Sequence, residues 1–147
     1  MLRQKLQEEQ ILALKSGDKT KLSVLRFIIS QIKNKEIDKK AELTDDEIVL
    51  VLKKLVKEIT ESIEAFKKGG REDLVKENEN QLQIINQYLP KELTDDQLKQ
   101  EIEKIIEENK LIFEKNQKAI IGICVKNLRS KADSSRILKI LSAYVKV

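Results

Sequence analysis

Histidine and tryptophan are absent from this 147-residue sequence, and cysteine, methionine and proline occur once each. Without histidine there is no imidazole for acid–base chemistry and no histidine metal ligand. The single Cys124 forms no intramolecular disulfide and supplies no thiolate metal cage. Set in Ile120-Ile121-Gly122-Ile123-Cys124-Val125, it reads as a small core residue rather than a nucleophile. The four glycines build neither a phosphate-cradling loop nor a Gly-x-Ser-x-Gly elbow. Aromatics make up 3% of the chain and leave few faces on which bases could stack. No apolar run reaches membrane-spanning length, and Met1-Leu2-Arg3-Gln4-Lys5 opens no signal-peptide core, so the expectation is a soluble, cytoplasmic chain with no membrane partner. No alternating β-branched run marks a strand.

What the chain does contain is charge, at 37% of residues, together with leucine, isoleucine and lysine in helical spacing. One stretch organises it. Glu42-Leu43-Thr44-Asp45-Asp46-Glu47-Ile48 recurs fifty positions later as Glu92-Leu93-Thr94-Asp95-Asp96-Gln97-Leu98. Each copy is a helix start. Thr44 and Thr94 can accept from free first-turn N–H groups, and Glu47 and Gln97 can reach back to the cap's own N–H. Leu43 with Ile48, and Leu93 with Leu98, have the spacing of a hydrophobic staple. Asp45, Asp46, Asp95 and Asp96 put negative charge at the positive end of the helix dipole, a role that outweighs their use as Mg²⁺ ligands.

Periodicity then predicts an all-α protein. A first helix covers about residues 2–16 and stops at Gly17, and Asp18 caps a second with Leu22, Leu25, Ile29 and Ile32. The third carries Ile48, Leu52, Leu55, Ile59, Ile63 and Phe66 on one face. Gly69-Gly70 turns it into a fourth of about residues 71–88, so residues 45–89 form a long protruding antiparallel hairpin. After Pro90 come three shorter helices, the last with Ile137, Leu138, Leu141 and Tyr144. The expected organisation is a four-helix unit over residues 1–90 and a three-helix unit over residues 91–147. Arg26, between Leu25 and Phe27, is expected to be half-buried.

Charge is unevenly spread. Residues 1–90 carry 17 basic and 16 acidic side chains, and residues 91–114 carry four lysines against eight acids. Residues 115–147 carry eight basic side chains, Lys146 among them, against Asp133 alone. Such a segment is a candidate polyanion surface. Serines beside arginine, Ser23 with Arg26 and Ser134-Ser135 with Arg136, read as structural rather than catalytic.

Several segments together resemble the GatB/YqeY family. These are Asp18-Lys19 with Lys21-Leu22-Ser23-Val24-Leu25-Arg26, then Ile32-Lys33-Asn34-Lys35-Glu36-Ile37, then Ser62-Ile63-Glu64-Ala65-Phe66-Lys67-Lys68-Gly69-Gly70-Arg71-Glu72-Asp73-Leu74, and finally Tyr88-Leu89-Pro90. The likeness covers nearly the whole chain and is closest to free-standing YqeY-like proteins. It departs at the C-terminal part, where Gly122 and Ala132-Asp133 match the family but Val125-Lys126 stands for Met-Pro, Ser130 and Ser134 for glycines, and Lys131 for arginine. The resemblance implies four helices with a long hairpin and then three. It also implies kinship with the tail of the glutamine-dependent aminoacyl-tRNA amidotransferase B subunit, which contributes to tRNA binding and not to the chemistry. A carbon–nitrogen ligase label with glutamine as amide donor belongs to that larger enzyme.

Three functions are therefore in view. The first is docking on tRNA or another structured RNA, with Lys126, Arg129, Lys131, Arg136 and Lys139 on phosphates and the N-terminus of the last helix beside Arg129 and Lys131. The second is a protein adaptor that uses the hairpin of residues 45–89. The third is an enzyme with carboxylate or serine chemistry, which needs a pocket with perturbed carboxylates. No catalytic residue, metal or cofactor is assigned.

Overall fold

The structure, a computed structural model, describes residues 1–145; Lys146 lies outside them. All regular structure among the described residues is helical. The chain divides into two compact units, Met1–Leu89 and Pro90–Val147.

The first unit holds α1 (Leu2–Ser16), α2 (Lys19–Lys39), α3 (Asp45–Lys68) and α4 (Glu72–Asn86). Gly17 ends α1 in the left-handed region at φ 75°, which costs glycine nothing. Asp18 then accepts the Lys21 N–H and starts α2. Both halves of the capping box form at Thr44 and Glu47. Gly70 at φ 70° turns the chain from α3 into α4, and these two helices pack along each other. Leu6 and Ala13 of α1, Val24, Leu25, Ile28 and Ile32 of α2, Ile48, Leu52 and Leu55 of α3 and Ile85 of α4 meet in one core. Each fully buried side chain of this kind contributes about 1.5–3 kcal/mol. Tyr88 closes the core at 5% exposure, with the Lys5 ammonium 5.7 Å from its ring centroid.

Carboxylates tie the entry to α3 to the rest of this unit. Glu36 accepts the Leu43 N–H at 2.9 Å and pairs with Arg3. Asp45 accepts the Leu2 N–H at 3.2 Å.

The second unit holds α5 (Asp95–Glu108), α6 (Lys110–Lys115), α7 (Gln117–Leu128) and α8 (Ser134–Leu141). Thr94 and Gln97 form the second complete capping box. Its core joins Leu98, Ile102, Ile105, Ile120, Cys124, Leu128, Ala132, Ile137, Leu141 and Val145. Cys124 is fully buried, and burial pushes its thiol up to about 11.

Four features differ from the sequence expectation. The short helix α6 was not foreseen, because a six-residue helix leaves no full period to read. Leu111 and Ile112 on it are exposed, so it buries too little for an apolar face to announce it. Helix α8 ends at Leu141, short of Tyr144, and Leu138 lies outside the core at 48% exposure. Arg26 is exposed rather than half-buried. The apolar stripe of α2 is carried by Val24, Leu25, Ile28 and Ile32, and at about 100° per residue Arg26 falls on the far side.

Candidate functional site

The basic segment foreseen in the sequence folds as α7, a tight turn, and α8. Asn116 starts α7 by accepting the Lys118 N–H at 3.2 Å. Ile120, Cys124 and Leu128, four residues apart, face the core. The opposite side of the helix must then carry Lys118, Gly122, Lys126 and Arg129, and all four are exposed. From Lys118 to Lys126 the helix rises about 12 Å.

Gly122 stands in the middle of this basic face. A methyl group built on it would meet no atom within 4 Å. Its φ is not in the positive region where Gly17 and Gly70 lie. A glycine inside a helix costs about 1 kcal/mol relative to alanine. Neither the turn geometry nor the packing of this unit asks for that cost.

The turn after α7 fixes the next cation. The Lys131 and Ala132 N–H groups both donate to the Leu128 carbonyl, at 2.9 and 3.0 Å. The Lys131 carbonyl accepts the Leu93 N–H at 2.9 Å. Its backbone is thereby held to the entry of α5, while its side chain stays exposed. Ser130 is buried at 6% exposure, and Asp133 caps α8 by accepting the Ser135 N–H at 3.2 Å.

Arg136 does something different from its neighbours. It donates to Asp95 at 2.9 Å, to Glu92 at 2.9 Å and to the Leu93 carbonyl at 2.7 Å. The Asp95 hydrogen bond, then Glu92, raises its pKa further. Its guanidinium therefore fastens α8 to the residues that launch α5. Lys139, one turn on, is exposed.

Of the five residues singled out in the sequence, Lys126, Arg129, Lys131 and Lys139 are exposed, and Arg136 is engaged within the unit. Lys118 and Gly122 belong to the same face as Lys126 and were not singled out. The signal for them was the four-residue spacing 118, 122, 126 on a helix whose core positions were already legible. No sequence signal pairs Arg136 with acids more than forty residues earlier.

Elsewhere, a cleft of about 400 Å³ in the first unit is lined by Ser23, Val24 and Phe27 of α2, Leu55 and Ile59 of α3 and Ile85 of α4. Phe27 there is 50% exposed. Among the described residues no three acidic, cysteine or histidine side chains gather as a metal site. No helix among them is long and apolar enough to cross a membrane.

The family described as Yqey-like protein matches residues 3–146. An uncharacterized protein of Schizosaccharomyces pombe is 36% identical over 78 residues, 53% of this chain and 63% of that protein. The Eremothecium gossypii protein named Altered inheritance of mitochondria protein 41, mitochondrial, is 37% identical over 78 residues, 52% of this chain and 43% of its own length. Its namesake in Kluyveromyces lactis is 36% identical over 77 residues, 52% of this chain and 42% of that protein. The chain thus spans less than two thirds of the length of these relatives.

Their names correct one expectation. The expectation of a cytoplasmic chain does not hold against relatives that are mitochondrial by name. The physical reason for the error is plain. Apolar leaders are the mark of secretion, whereas mitochondrial leaders are amphipathic and basic, so apolar runs do not speak to the mitochondrion. With the match extending over nearly every residue, the chain belongs to the YqeY-like protein family.

Proposed function

We propose that this protein is an RNA-binding module that docks on tRNA through the outer face of α7 and the turn into α8, and is not itself a catalyst. The observation that carries this reading is the set of exposed cations, Lys118, Lys126 and Arg129 along α7, Lys131 in the turn and Lys139 on α8, on elements that also build the core. A rigid scaffold presents them, and phosphate contacts of this kind position an RNA without reading its bases. With so few aromatics, shape and backbone recognition is the mode that suits the chain. Arg136 acts indirectly here, by holding α8 and the turn that carries Lys131. The kinship with the amidotransferase tail, drawn from resemblance, points the same way.

The cleft beside Phe27 favours a second reading, a protein adaptor that binds a partner on the α2–α3–α4 face without RNA.

Fluorescence anisotropy of labelled tRNA across a salt series separates the two. The RNA reading expects binding that weakens steeply with salt, with a slope of about 0.7–0.9 per phosphate contact. It also expects tRNA to bind more tightly than a duplex of equal length. Absence of binding even at low salt would remove the RNA reading and leave the adaptor.

A further inference from the structure

Helix α7 contains a residue that its own fold does not explain. Gly122 lies well inside the helix, its φ is ordinary, and an added side-chain carbon would enter open space. Glycine is among the poorest helix formers, and nothing in this unit gains from it. A bare helix surface has one further use, which is to let another backbone approach closely. What flanks the bare position says which kind. One turn before it is Lys118, one turn after it is Lys126, and Arg129 continues the row; all are exposed. No acid lies on that row, and the half-buried Ala119 and Val125 border it on either side.

We propose that Gly122 is where the sugar–phosphate backbone of the bound RNA crosses α7, lying against the helix while the Lys118 and Lys126 ammonium groups take phosphates on either side. This rests on the RNA reading above and adds to it a place and a register. A side chain at position 122 would lift the strand off the helix and lengthen both ammonium–phosphate contacts at once. The loss is therefore expected to exceed that of a substitution elsewhere on the helix.

The test uses the full chain with Gly122→Ala, Gly122→Leu and Asn127→Leu. Asn127 is exposed on α7 away from the row. Thermal melts and tRNA anisotropy at low salt are measured on each. Gly122→Ala is expected to melt several degrees higher, because alanine favours the helix. The same change should weaken tRNA binding about threefold, and Gly122→Leu about tenfold or more, while Asn127→Leu stays near the parent. A stabilised Gly122→Ala that binds worse cannot be explained as damaged folding. Unchanged affinity in Gly122→Leu overturns this inference and leaves the RNA reading standing. Failure of the parent chain to bind tRNA overturns both. Polyglutamate that competes as well as tRNA does assigns the row to an acidic protein and overturns the RNA strand.

Discussion

The two units begin from the same device and arrive at different surfaces. In each, a threonine accepts an N–H three residues on, and the side chain there returns the bond. The distances are 3.3 and 3.2 Å at Thr44 and Glu47, and 3.2 and 3.0 Å at Thr94 and Gln97. The surroundings then diverge. In the first unit Glu47 also binds Lys39 at 2.5 Å, and Glu36 and Asp45 accept backbone N–H groups. Acids there hold backbone and cations within the unit, Asp45 and Glu36 reaching back to Leu2 and Arg3, and they match the bases almost one for one. In the second unit the acids before and within the start of α5 converge on one cation, Arg136, and the remaining bases of residues 115–139 line the outside. The lesson is that a shared helix start fixes where a helix begins and says nothing about which surface it will display.

The comparison can be broken in order of effect. Leu52→Ala in the first core and Ile102→Ala in the second should each cost about 2–5 kcal/mol in urea titrations. Amide exchange should show protection falling mainly in the mutated unit. Protection falling equally in both would show that they unfold as one. Changing Lys126, Lys131 and Lys139 together to glutamine should weaken tRNA binding about tenfold to a hundredfold and flatten its salt slope by about two to three. The same number of neutralisations at Lys57, Lys67 and Lys68 in the first unit should change neither. Thr44→Ala and Thr94→Ala should each cost about 1 kcal/mol, measured by thermal melting.

Acid distinguishes the two caps more finely. The Lys39 ammonium first, then the Thr44 N–H, hold the Glu47 carboxyl below the usual carboxylate range. The Leu43 N–H, with Arg3, does the same for Glu36. A carboxyl depressed in the folded state contributes stability above its unfolded value, near 4.5 for glutamate, and loses it as pH falls through the lower folded value. Gln97 does not titrate. Amide shifts followed from about pH 6 to pH 3 should therefore report loosening at Thr44 while Thr94 holds, and Glu47→Gln should remove the difference. The smallest expected effect is at Tyr88, whose buried hydroxyl finds no hydrogen-bond partner of good geometry among the described residues, with the Lys21 ammonium in its neighbourhood. Tyr88→Phe should be neutral or stabilising by up to about 1 kcal/mol in urea.

Much of this was legible in residue spacing. The two capping boxes, the Gly17 stop and the core positions of α3 follow from local rules, because each depends on residues within one or two turns. Position 138 shows where that ends. Leu138 is as apolar as Ile137, and only packing decides that one is buried and the other exposed. Arg26 is a different case, since the helical spacing alone sets it opposite Val24, Leu25, Ile28 and Ile32, and its neighbours in sequence are not its neighbours on the helix. The candidate surface was legible as a count of charges. Which cations face outward was not, because Arg136 is drawn inward by partners that the chain brings from far away. Lys118 and Gly122 were visible once the core face of α7 was known.

The claim at the centre is that RNA lies on the second unit. Amide shift mapping of the isotope-labelled full chain during tRNA titration tests it most directly. The account predicts shifts concentrated at residues 115–139, strongest around Lys118, Gly122 and Lys126, with residues 1–89 nearly unmoved. Shifts concentrated on the hairpin of α3 and α4, with α7 unmoved, would contradict it.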